Sequence, residues 1–164
     1  MILHRFSVRA NLLALAVLAG FPMGIARGQC NEGTFCQSLP NSVGLPAQIG
    51  SNGSLGVADN ALEIVAFPVP SGAFGYFNYS SAWNNGGNGV PSGDGYLCIG
   101  GAGAPVYRLL PGVPEQGFSM RLPVDFTNLP VGGDIWAGTT WYFQAIYTDT
   151  KAGKSGFNYS NGLW

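Results

Sequence analysis

The stretch Gly138–Thr150, "GTTWYFQAIYTDT", decides the fold. It places Trp141, Tyr142, Phe143 and Tyr147 within seven residues. Such a cluster is either an exposed platform for a ligand or the middle strand of a core. The period arbitrates. At strand spacing Trp141, Phe143, Ala145 and Tyr147 share one face, and Tyr142, Gln144, Ile146 and Thr148 share the other. Large apolar groups fall on both faces. That pattern suits a central strand of a sandwich, covered on one side by a second sheet and partly on the other by a loop. A sugar-binding platform would need its rings exposed and coplanar. The stretch reads as core.

The rest of the chain is punctuated in the same style. Glycine and proline recur in "NSVGLP", "GSNGS", "FPVPSG", "WNNGGNGVPSGDG", "GGAGAP", "LLPGVPEQG", "NLPVGGD" and "TKAGKSG". No clean helical period occurs between these turns, which is the signature of short strands in an all-β domain. The expected strands are 42–49, 53–58, 61–67, 73–79, 95–99, 105–109, 118–124, 139–148 and 156–164. Leu62, Ile64 and Ala66 oppose Glu63 and Val65, and Phe118, Met120 and Leu122 alternate with Ser119 and Arg121, so these strands bury one face. The expected fold is a single-domain antiparallel β-sandwich, with a jelly roll as one form of it. Its expected core draws on Leu62, Ile64, Phe74, Phe77, Leu97, Leu122, Phe126, Trp141, Phe143 and Ile146. The tetrapeptide "FNYS" occurs at Phe77–Ser80 and at Phe157–Ser160. The echo is too short for a duplication and reads as chance.

Residues 1–28 read as a signal peptide. His4, Arg5 and Arg9 precede the apolar run "ANLLALAVLAG", which is too short to span a bilayer, and Ala26 and Gly28 supply the small residues before a cut at Gln29. Gln29 sits where a lipoprotein signal needs a small residue before Cys30. No later run suits a membrane helix. Residues 29–164 are then one exported, soluble domain, large enough for a core of its own.

Charge and composition exclude several functions. After cleavage Arg108, Arg121, Lys151 and Lys154 remain against all eight acids, a balance of about −4. Four scattered cations do not make a nucleic-acid surface, which needs clustered Lys and Arg. The single histidine, His4, lies in the signal. Its removal excludes Ser-His-Asp and Cys-His triads, HExxH zinc sites and histidine acid–base chemistry. "TDTKAGKS" ends like a phosphate loop, but Thr148 stands where the first glycine belongs and no helix follows. "GGAGAP" lacks the strand–helix context of a dinucleotide fold. No pair among the eight carboxylates stands out as a glycosidase pair. No cofactor and no metal is expected, and the protein is read as a non-enzyme. Asp94 in "SGDG" is the best calcium candidate, but an Asx-type turn explains it more simply.

Three cysteines in an oxidising compartment imply a disulfide. Cys36–Cys98 is the preferred pair and Cys30–Cys36 the rival. Three thiolates at this spacing make a poor metal site.

The longest irregular stretch is "SAWNNGGNGVPSGDG". Trp83 stands among Asn84, Asn85 and Asn88, with Asp94 at its far end. A ring flanked by amides binds sugars by stacking and by hydrogen bonds to hydroxyls. The competing reading is a loop whose Trp83 folds down as a lid. Asn52, Asn78 and Asn158 begin N-x-S sequons.

Three segments carry a resemblance: "FCQSLPNSVGLPAQIGSNGSLGVADNALEI", "GDGYLCIGG" and "GTTWYFQAIYTD…GFNYSNGL". Together they resemble an uncharacterised domain that recurs in exported proteins of planctomycete bacteria. The resemblance covers nearly all of residues 35–164. It implies an extracellular all-β domain, supports Cys36 and Cys98 as the shared cysteines, and brings no catalytic residue. Members of that family run on past "NYSNGL", so the last strand here is expected to be short or cut, and Cys30 to find any partner downstream. The functional expectation is a secreted surface or matrix protein making structural or adhesive contacts with a surface protein or polysaccharide. The alternative is a carbohydrate-binding module with its site at Trp83, Asn84, Asn85, Asn88 and Asp94.

Overall fold

The computed structural model describes residues 31–151 and 155–164. The expected signal peptide, its cleavage point, Cys30 and Lys154 lie outside the described residues.

The chain is all-β and its sheets are antiparallel. The strands are β1 (Thr34–Phe35), β2 (Gln48–Gly53), β3 (Leu62–Phe67), β4 (Phe74–Ser80), β5 (Val90–Ser92), β6 (Gly95–Leu97), β7 (Tyr107–Arg108), β8 (Val113–Pro114), β9 (Met120–Val124), β10 (Tyr142–Thr148) and β11 (Phe157–Leu163). The larger sheet runs β1-β11-β10-β4-β7, with β8 also on β4; the smaller runs β2-β3-β9, and β5 pairs with β6 alone. The quoted stretch therefore supplies an interior strand, flanked by β11 and β4.

The core lies between the two sheets. Leu62, Ile64, Ala66, Met120, Leu122 and Val124 of the smaller sheet join Phe77, Tyr79, Phe143, Ala145 and Tyr147 of the larger in one buried cluster. Each strand contributes every second residue, as the pleat requires. Each large apolar side chain so buried contributes roughly 1.5–3 kcal/mol. Gly75 is where β4 comes closest to its neighbours: a Cβ there would overlap Ile146 O.

The second face of β10 is covered as well. Gln144, expected on that face, is 1% exposed. Its Oε1 accepts from Cys98 N at 2.9 Å, and its Nε2 donates to Tyr96 O and Ser160 O, both at 2.8 Å. The Nε2 also lies 3.0 Å from Cys98 Sγ. The β5–β6 hairpin and the segment after it thus form a partial third layer. A disulfide, Cys36–Cys98, fastens this layer to the end of β1. The preferred pairing holds and excludes Cys30–Cys36.

A bulge shapes β11. Gln144 pairs with Gly162 and Ile146 with Tyr159, so Ser160 and Asn161 together oppose Ala145. Ser160 Oγ accepts from Ala145 N at 2.9 Å, and Asn161 Oδ1 accepts from Ile49 N of β2 at 2.8 Å. The bulge aims a side-chain acceptor at the edge of the smaller sheet and joins the two sheets there. The "FNYS" echo resolves on this strand. Phe77 and Tyr79 of β4 pair with Ala145 and Phe143 on the inner face, whereas their counterparts Phe157 and Tyr159 of β11 pair with Thr148 and Ile146 on the outer face. The two copies therefore present their rings to opposite faces of the sheet.

The sequence-based expectations need correction in three places. Strands 42–49 and 53–58 do not form; one strand, β2, spans the gap between them, and residues 57–59 make a single 3-10 turn. The turn markers were misjudged because Gly50 and Gly53 lie inside or at the end of that strand. Phe74 is 43% exposed, because β4 turns Gly75, Phe77 and Tyr79 inward and leaves Phe74 on the outer face against Tyr76. Leu97, within the partial third layer, and Ile146, on the outer face of β10, are only half-buried, and Phe126 and Trp141 pack against the core without being fully buried.

Candidate functional site

The site begins with a short backbone ladder beyond β4. Residues 82–84 run antiparallel to residues 98–100: Asn84 N donates to Cys98 O at 2.7 Å, and Gly100 N donates to Ala82 O at 2.8 Å. Trp83 and Ile99 pair between them. Asn84 Nδ2 donates to Ile99 O at 2.7 Å and to Leu97 O at 3.3 Å. Gly101 packs so closely that a Cβ would overlap Trp83 O. The backbone of Trp83 is therefore clamped before its ring touches anything.

Three rings meet there from three parts of the chain. Trp83 lies 5.2 Å from Tyr142 and 5.8 Å from Phe35, centroid to centroid, and Phe35 lies 5.4 Å from Tyr142. Their planes are inclined at 38°, 56° and 77°, the tilted and edge-on geometry that aromatic pairs prefer. Trp83 remains 44% exposed. Beside it opens a cleft of about 480 Å³ lined by Ser81, Ala82, Trp83, Asn85, Gly86, Ala102 and Tyr142. The rings are not coplanar, so they form no flat platform. The cleft offers one indole face at its wall with a phenol, an amide and a hydroxyl around it.

The residues expected at this site divide. Trp83 and Asn85 line the cleft. Asn85 Nδ2 donates to Gly89 O at 3.1 Å, which leaves its Oδ1 as the acceptor it can offer. Asn84 is a clamp on the 97–99 backbone, so its amide holds the site rather than a ligand. Asn88 Nδ2 donates to Asn85 O at 3.2 Å and supports the loop. Asp94 occupies the two-residue turn between β5 and β6, where Asp94 N donates to Phe157 O at 3.1 Å. Phe157 pairs with Thr148, at the opposite end of β10 from Tyr142. At strand rise that separation is roughly 20 Å, so Asp94 is not part of the cleft.

Sequence reasoning missed Phe35, Tyr142, Ser81 and Ala102. Tyr142 carried a usable signal, since the period had placed it on the face away from the main core. The contribution of Phe35 follows from the disulfide, because Cys36 is its neighbour and Cys98 is the neighbour of Ile99. One covalent link thus joins the residues next to Phe35 and Ile99, which pack on and pair with the Trp83 of the cleft.

Four carboxylates are engaged elsewhere. Asp125 accepts from Asn60 Nδ2 and from Thr127, and these hydrogen bonds, the threonine's first, lower its pKa. Glu115 is lowered by the backbone N–H groups of Gly72 and Phe118. Glu63 pairs with Arg121 at 3.3 Å, and buried Asp149 accepts from Ser42 N at 3.0 Å. The Glu63–Arg121 pair joins β3 to β9, and the other three fasten turns and loops. Among the sequons, Asn78 and Asn158 are buried within strands, and only Asn52 is exposed. No helix among the described residues is long and apolar enough to cross a membrane.

No protein-family model, curated protein or solved structure matches this chain.

Proposed function

We propose that the protein is an exported, non-catalytic domain that makes adhesive contacts by binding polysaccharide in the cleft beside Trp83. The observation that carries this reading is the half-exposed indole held at 5.2 Å from Tyr142 by a clamped backbone, with Asn85 and Ser81 on the same cleft. A sugar offers an apolar C–H face and a rim of hydroxyls. An aromatic face next to neutral hydrogen-bonding groups is complementary to both, and a preformed site loses little freedom on binding. The disulfide favours an oxidising compartment, which agrees with export. The non-catalytic part of the reading is supported by the expected removal of His4 with a signal peptide and by the structural engagement of Asp125, Glu115, Glu63 and Asp149.

Affinity electrophoresis through gels containing a panel of polysaccharides tests the proposal, with Trp83→Ala alongside and a cooperative melt to show that both proteins are folded. Retardation lost in the variant supports it. Equal migration of the two proteins on every gel refutes the site.

A further inference from the structure

The cleft also carries information about the charge of its ligand, and this step rests on the polysaccharide reading above. The lining residues Ser81, Ala82, Trp83, Asn85, Gly86, Ala102 and Tyr142 include no cation. The described cations lie elsewhere. Arg108 sits over the Tyr76 ring at 4.3 Å from its centroid, and Arg121 pairs with Glu63. Lys151 follows β10, at the far end of that strand from Tyr142. A carboxylate or sulfate entering the cleft would give up water without gaining an opposite charge, and would do so on a domain whose net balance is negative. Asn85 Nδ2 gives one N–H to Gly89 O and keeps a second, so with its Oδ1 it can both donate to and accept from the hydroxyls of a neutral sugar. The indole face in turn packs against C–H groups, which a neutral pyranose presents.

We infer that the cleft is specific for neutral glycans and rejects uronic-acid and sulfated ones. Recognition is then carried by stacking on Trp83 and by hydroxyl donation to Asn85 Oδ1, and is insensitive to salt.

The test uses residues 29–164 with laminarin, galactomannan and xyloglucan as neutral probes and alginate and polygalacturonate as acidic ones. Wild type and Trp83→Ala are compared at 50 and 500 mM NaCl. The expected result is binding to at least one neutral probe at least tenfold tighter than to either acidic probe. That binding should change less than twofold with salt and be lost in Trp83→Ala. Binding of an acidic probe that equals or exceeds the neutral ones and depends on Trp83 overturns the inference and leaves the polysaccharide reading standing. The same holds for a tenfold loss with salt. Trp83-dependent binding to none of the five overturns both.

Discussion

Gln144 and Cys98 hold each other across the outer face of the larger sheet: Cys98 N donates to Gln144 Oε1 at 2.9 Å, and Gln144 Nε2 lies 3.0 Å from Cys98 Sγ. With Tyr96 O and Ser160 O also on Nε2, one buried amide fixes the hairpin layer to the sheet. Gln144→Leu keeps the bulk but leaves Cys98 N, Tyr96 O and Ser160 O without that partner. Each buried group so stranded costs about 1–3 kcal/mol, so with three of them a loss of at least roughly 3 kcal/mol is expected in urea unfolding. A loss below about 0.5 kcal/mol would show that the amide is not what holds the layer.

The disulfide closes a loop with a sequence separation of 62 residues. In the chain-entropy account its removal costs about 4 kcal/mol. Cys36→Ala with Cys98→Ala should lower the denaturation midpoint accordingly. It should also weaken the polysaccharide binding proposed for the cleft, under conditions where the protein is still folded, because Phe35 and Ile99 flank the lost link. Unchanged binding by a folded double variant would separate the cleft from the disulfide.

Gly101→Ala tests the backbone clamp. Its Cβ would overlap a backbone oxygen, Trp83 O, which cannot swing aside as a side-chain tip can. The strands of the 82–84 and 98–100 ladder must part. A destabilisation of roughly 1–3 kcal/mol and a shift of tryptophan emission are expected. Wild-type emission and stability would show that the approach is looser than described.

Tyr79 and Tyr147 have pKa values raised to about 12, chiefly by burial, with Tyr107 and Asp134 adding to the effect at Tyr79 and Asp149 at Tyr147. Their protonated forms are favoured in the fold. The unfolded chain releases those protons near pH 10, so the stability they contribute is intact below pH 10 and falls as pH rises towards about 12. Ultraviolet titration should show two tyrosines ionising last, together with alkaline unfolding. Tyr79→Phe removes the hydrogen bond to Gly133 O at 2.7 Å and should leave one late tyrosine.

Trp136 is 69% exposed, and its replacement by alanine should change stability by no more than about 0.5 kcal/mol. A larger loss would mean that the 130–141 loop depends on that ring.

The legible part of the fold was the part governed by period. Leu62, Ile64, Phe77, Leu122 and Phe143 alternate cleanly and are buried as read. Phe74 was misplaced against the period itself: three residues from Phe77, it must face the other way on β4, where it is exposed. The split of β2 into two expected strands came from weighting Gly50 and Gly53 as breakers, although one lies within the strand and the other closes it. At the cleft, Trp83 and Asn85 could be named from a ring beside amides. Asn84 could not be told from them, because its role depends on Leu97 and Ile99, which only the folded ladder brings near. Phe35 was hidden for the same reason, since nothing local links it to residues 83 and 142.

The order of strands in the larger sheet also bears on how the protein folds. β1 pairs with β11, and one edge of β4 waits for β10, so that half of the sheet's hydrogen bonding depends on residues 142–163. A nascent chain that stops short of them has nothing to lay beside β4 on that side. Contacts this distant in sequence make assembly slow, because loop closure must precede any gain from pairing. Until β10 has been made, a nascent chain lacks Phe143, Ala145 and Tyr147, part of the larger sheet's share of the buried cluster, so the sandwich core stays incomplete while the smaller sheet can already pair.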